Sequence, residues 1–126
     1  DCLDLTNYFP TKWFDIVTCL DLIEHLKYED AVKLISDVEK LCSGFIMYFT
    51  PYGYFDVGEV REHQNHLFGW YPKDFVEFGY TCLVLPNMHN GFGAFYAMKD
   101  SEENIRSFDI DSRHEWINGW YWENAR

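Results

Sequence analysis

The chain has 126 residues, enough for one hydrophobic core and too few for two. Apolar residues make up 48% and aromatics 20%, which excludes a disordered chain, and no apolar run approaches the ~20 residues of a membrane helix. A formal net charge of −11 disfavours bare nucleic acid and anionic membranes, because non-specific affinity for phosphates rests on Lys and Arg. The expectation is therefore a soluble cytoplasmic protein with no nucleic-acid and no membrane partner. Residues 1 to 13 carry neither a basic stretch nor an apolar one of signal-peptide type. Cys2, Cys19, Cys42 and Cys82 are widely spaced without a CxxC pair, as expected of buried free thiols in a reducing compartment.

In chain order, "FDIVTCL" at 14 to 20 is an apolar, strand-forming run. Its continuity predicts a strand covered on both faces, as in a parallel sheet. At 28 to 42, Ala31, Leu34, Ile35, Val38 and Leu41 recur at helical spacing, while Lys33, Ser36, Asp37, Glu39 and Lys40 fill the other face. Glu29 and Asp30 suit the first turn, and Ser43-Gly44 is expected to stop the helix. "FIMYFT" at 45 to 50 reads as a second buried strand closed by Pro51, completing a βαβ unit. A long aromatic loop spans 51 to 71, and "YPKDFVEFGY" is a short helix with Pro72 in its first turn and Gly79 past its end. "YTCLVL" at 80 to 85 and "GFGAFYAMK" at 91 to 99 are two further strands. The turn-like "PNMHNG" between them is short enough to require an antiparallel pair. The segment from 100 to 126 is polar and acidic, then rich in Trp. The predicted fold is α/β, β-α-β-loop-α-β-β, a mostly parallel sheet ending in an antiparallel hairpin.

Three stretches carry a resemblance. "FDIVTCLDLIEHL" is similar to the fourth strand, and the loop after it, of class I S-adenosylmethionine-dependent methyltransferases. "FIMYFTP" resembles their fifth strand, and "HLFGWYPKDFVEFGY" resembles the H-x-x-x-W-x-x-x-D-F-x-x-x-G-Y segment before their sixth. The resemblance covers most of residues 1 to 99 and implies a partial Rossmann-like methyltransferase fold. It implies methyl transfer from S-adenosylmethionine to an O or N of a small-molecule or sugar-like acceptor. The family's glycine-rich loop and the acid closing its second strand have no counterpart. The sequence therefore reads as a piece of a longer one, starting after the family's third strand. In that reading cofactor binding is weak or lost.

Several residues become candidates. By resemblance, Asp4 accepts a hydrogen bond from the adenine amine and Leu5 lies against the ring, although Asp4 also fits as a plain turn cap. The backbone of Cys19, Leu20 and Asp21 would face the methionine part of the cofactor, at the strand end where such sheets place ligands. Asp21, Glu24 and His25 form D-x-x-E-H, and on a helical turn these positions share one face. Three readings stay open for them. His25, with Glu24 and with His66 from the loop, can act on a proton as a catalytic base. Asp21, Glu24, His25 and His66 can hold a divalent metal. The acid and imidazole can instead simply pin the next helix. Some methyltransferases acting on quinol or RNA-terminal hydroxyls use E-x-x-E-H plus a second His for metal, and here the first acid is the shorter Asp. His63 also lies in the loop, with Tyr52, Tyr54, Phe55, Phe68, Trp70 and Tyr71 as either an acceptor pocket or lid packing. His89 and His114 read as surface groups.

The runner-up reading is a non-catalytic module that self-associates through an exposed sheet edge at 14 to 20, as a homodimer. A metal-dependent hydrolase built on Asp21, Glu24, His25 and His66 is a third.

Overall fold

A computed structural model describes residues 1–54 and 65–100. His63, Phe55 and the Trp-rich segment with His114 lie outside the described residues, so the expectations placed on them do too.

The elements are α1 (Leu5–Tyr8), β1 (Phe14–Leu20), α2 (Tyr28–Leu41), β2 (Cys42–Pro51), α3 (Pro72–Glu77), β3 (Thr81–Leu85) and β4 (Ala94–Asp100). A single 3-10 turn, Ile23–His25, links β1 to α2. The four strands form one sheet in the order β1-β2-β4-β3. β1 pairs parallel with β2, whereas β4 is antiparallel to both β2 and β3. The sheet is thus mostly antiparallel by pairing, which corrects the mostly parallel arrangement expected. The physical reason is the hairpin: its short turn obliges β4 to oppose β3, and β4 then inserts beside β2 rather than at the rim. β1, β2 and β3 still end on one side, where β4 begins, because Pro51 and Leu85 both face Ala94.

The helical stripe of α2 behaves as its spacing dictates: Ala31, Leu34, Ile35, Val38 and Leu41 are all buried. They join Ile46, Tyr48, Trp70, Phe75, Tyr80 and Phe95 in one core. Burying each such side chain is worth roughly 1.5–3 kcal/mol. Asp37, expected on the solvent side, is also buried, and Lys33 and Lys40 meet its two oxygens at 2.6 and 3.2 Å.

Two boundaries differ from expectation. Ser43-Gly44 does not form a stop. The helix passes straight into β2 at Cys42, and a Cβ on Gly44 would collide with the Asp15 carbonyl of β1, so glycine allows the strands to approach. Nor is β1 covered on both faces. It is an edge strand in which Cys19 is buried while Ile16 and Leu20 are 64% and 55% exposed. Continuous apolarity could not distinguish a sandwiched strand from one with a bare outer face.

Among the described residues, no helix is long and apolar enough to cross a membrane.

Candidate active site at the carboxyl end of the sheet

β1 delivers the chain to the site through a sharp change of direction. Asp21 adopts a left-handed backbone, φ 46°, and its N–H donates to the Phe49 carbonyl of β2 at 3.0 Å. The 3-10 turn then carries Glu24 and His25. This corrects the shared helical face expected for Asp21, Glu24 and His25. Asp21 precedes the 3-10 turn, is exposed and contributes no atom to the close group, although its charge acts on Glu24 and His66, whereas Glu24 is buried.

Glu24 is 2% exposed. Its Oε2 accepts a hydrogen bond from Thr50 Oγ1, at the end of β2, at 3.0 Å. Its backbone carbonyl accepts from the N–H groups of Leu67 and Phe68, at 2.8 and 3.3 Å. Those bonds clamp the loop before α3 against the turn. Trp70 completes the clamp: it is fully buried, and its Nε1 donates to the Ile23 carbonyl at 3.2 Å. Gly53 N–H donates to the Trp70 carbonyl at 2.7 Å. Gly69 is needed here, because a Cβ would run into the Tyr54 backbone. Phe68 and Tyr28 pack on the Trp70 ring at 4.9 and 5.8 Å. Trp70 therefore packs the lid onto the core rather than lining an acceptor pocket.

The clamp sets His66 beside His25, ring centroids 5.0 Å apart and nearly perpendicular. His25 Nδ1 lies 3.1 Å from the Asn65 carbonyl. A carbonyl can only accept, so Nδ1 carries a proton, and in the neutral ring Nε2 is then the nitrogen with the lone pair. That Nε2 is 3.8 Å from Glu24 Oε1. One ligand atom each from Glu24, His25 and His66 lie within 4.8 Å of one another. Ligands bonded at about 2.1 Å sit some 3–4 Å apart, so drawing the three onto one ion takes a shortening of the order of 1 Å.

Electrostatics favour that use. Burial raises the Glu24 carboxyl above its ordinary range, against the pull of its own backbone, Thr50 and His25. Burial lowers the His66 imidazole, with His25 and His89 adding to the effect and Asp21 opposing it. A neutral imidazole is a ligand, and a carboxylate held in a poorly solvated place gains from a nearby cation.

The remaining candidates lie nearby or apart. Asp4 is exposed and precedes α1, its carbonyl accepting from Asn7 N–H. Leu5 packs against the core. Leu20 and Asp21 are exposed at the end of β1, while the Cys19 side chain points into the core, with burial raising its thiol to about 11. Thr50, the Asn65 carbonyl and His89 were missed. The signal for Thr50 was a lone polar residue between an apolar run and Pro51. His89 is half-buried rather than a surface group, its ring stacked on Phe49 at 6.1 Å.

The fold is similar to part of a known methyltransferase. The crystal structure of small RNA methyltransferase HEN1 matches it with a TM-score of 0.50 at 22% identity, over 75% of this chain and 15% of that one. This chain thus spans about 15% of the length of that protein. No family model matches the chain, and no curated protein matches it. The likeness is one of fold, and it overturns the exclusion of nucleic acid, since the neighbour is named for small RNA. Net charge weighs non-specific attraction to phosphates. It does not weigh recognition of one nucleotide by cation bridging or stacking.

Proposed function

We propose that this chain is the acceptor-binding part of an S-adenosylmethionine-dependent methyltransferase acting on a ribose hydroxyl of RNA through a divalent cation. The observation that carries the proposal is the convergence of Glu24, His25 and His66 at the ligand end of the sheet. Glu24 Oε1, His25 Nε2 and one His66 nitrogen would hold the ion, and Asp21 stands outside this set. When bound, such an ion makes an oxygen nucleophile easier to deprotonate and fixes its direction. A hydroxyl beside a second oxygen, as on a terminal ribose, chelates where an isolated hydroxyl does not.

The protein's own part is placement. Thr50 fixes one Glu24 oxygen and leaves the other toward the histidines. Asn65 fixes the His25 tautomer. The Leu67, Phe68 and Trp70 hydrogen bonds hold His66 over the turn. Methyl transfer depends on such alignment, which can supply several orders of magnitude in rate. On the cofactor side, the resemblance assigns Asp4 and Leu5 to the adenine and the backbone of Cys19, Leu20 and Asp21 to the methionine portion.

The test is transfer of a labelled methyl group from S-adenosylmethionine, with Mg²⁺, by the longer protein of which this chain would be the acceptor-binding part, to a short RNA bearing either a terminal ribose or a terminal 2′,3′-dideoxyribose. Label on the first and none on the second is expected. Equal labelling of both, or cofactor binding by calorimetry without transfer to either RNA, would overturn the assignment of the acceptor.

A further inference from the structure

β1 has β2 on one side and, among the described residues, no strand on the other. In a parallel ladder only alternate residues turn their N–H and C=O groups to the neighbour, so the rest of β1 presents unpaired groups along its free side. Such edges are ordinarily blunted by charge or proline. From Ile16 to Leu20 the ladder with β2 is regular and contains neither. Asp15, the one charge on β1, accepts a hydrogen bond from Ser43 Oγ at 3.2 Å.

The surface beside this edge is apolar. Phe9, just past α1, packs edge-on against Phe14 at 5.0 Å. With Leu5, Ile16, Val17 and Leu41 these two rings line a groove of about 250 Å³. Tyr8, Trp13, Ile16 and Leu20 are 73%, 62%, 64% and 55% exposed. Large side chains offer ~150–250 Å² each, so the bare apolar area along this edge is about 600 Å². That is at the upper end for the largest patch of an ordinary monomer, ~300–600 Å². It approaches the ~800 Å² that each partner gives to a standard interface. Residues 5 to 20 carry only Lys12 and Asp15, whose charges cancel. Two copies of a chain of net charge −11 can therefore meet here without like charges facing each other at the contact.

We infer that this face joins two copies of the chain, with β1 pairing to β1 of the second copy across a two-fold axis. The inference does not rest on the RNA acceptor. A strand edge is satisfied only by another strand, and a second copy supplies one flanked by the same uncharged apolar surface. A two-fold axis normal to the sheet makes the two strands antiparallel, the arrangement with the stronger pairing per residue. It also keeps Ile16 and Leu20 of both copies on one face of the joined sheet, because residues an even number apart on a strand share a face.

The experiment is sedimentation velocity on this chain over a concentration series, with amide exchange measured on the same samples. Wild type should pass from monomer to dimer as concentration rises, and exchange at the β1 amides turned away from β2 should slow in step. Ile16→Lys and Leu20→Lys should each weaken the dimer at least about tenfold, since a lysine on the edge opposes pairing. Far-UV circular dichroism should match wild type for both, as neither side chain belongs to the core. Val76→Lys alters an exposed apolar residue of α3, which packs on β3 at the far side of the sheet, and should leave the dimer unchanged. A monomer at every concentration would overturn the inference, and slow β1 exchange in that monomer would show another segment of the chain on the edge. A dimer weakened by neither edge variant, or weakened as much by Val76→Lys, would also overturn it.

Discussion

Thr50 and Glu24 are both buried, and the Thr50 hydroxyl donates to Glu24 Oε2 at 3.0 Å across the gap between β2 and the 3-10 turn. This bond decides how a carboxyl group is tolerated inside the fold. Thr50→Val should destabilise the protein by about 1–3 kcal/mol, because it strands a buried acceptor. Glu24→Gln should not, since its amide oxygen still accepts from Thr50 and its charge no longer suffers burial. Urea denaturation of the two variants checks the contrast.

Trp70 is the lid's anchor. Trp70→Phe loses the indole bond to the Ile23 carbonyl and should cost about 1–2 kcal/mol. Trp70→Ala leaves a large cavity and should cost about 3–5 kcal/mol. In Trp70→Phe, amide exchange at Leu67 and Phe68, whose N–H groups bond to Glu24, should quicken.

Cys19 should be chemically quiet. Its thiol is raised to about 11 by burial and, to a lesser extent, by Cys2, so only roughly one molecule in a thousand is thiolate at pH 8. Iodoacetamide should label the half-buried Cys2 in the native state and reach Cys19 only on unfolding. Mass spectrometry after a timed quench reads this directly.

Asp37 supplies an acid limb to stability. Burial would raise its pKa, but hydrogen bonds and charges from Lys33 and Lys40 outweigh that and hold it below the ordinary 3.8. At acid pH the folded state therefore binds fewer protons than the unfolded one. The contribution is intact above pH 3.8 and is lost as pH falls through the folded value. Asp37→Asn should flatten the fall in urea midpoint below pH 4.

Much of the fold was legible because it rests on local rules. The α2 stripe, Pro72 at the start of α3 and the short β3–β4 link each follow from a few adjacent residues. What could not be read was pairing. Whether β4 sits beside β2 or at the rim depends on contacts between residues some 50 positions apart, such as Tyr48 with Ala97. The site divided similarly. Glu24, His25 and His66 were visible as chemistry-bearing residues. The exclusion of Asp21 depends on where the 3-10 turn starts, and the role of Thr50 depends on a side chain 26 residues away. Nucleic acid was excluded from a sum of charges, which has no information on a single stacked or bridged nucleotide.

The cation group is the centre of the account, and Mn²⁺ binding followed by electron paramagnetic resonance tests it most directly. The account predicts saturable binding of one ion per chain, weakened at least about tenfold in both His66→Ala and Glu24→Gln. Absence of saturable binding, or equal binding by wild type and both variants, would contradict it.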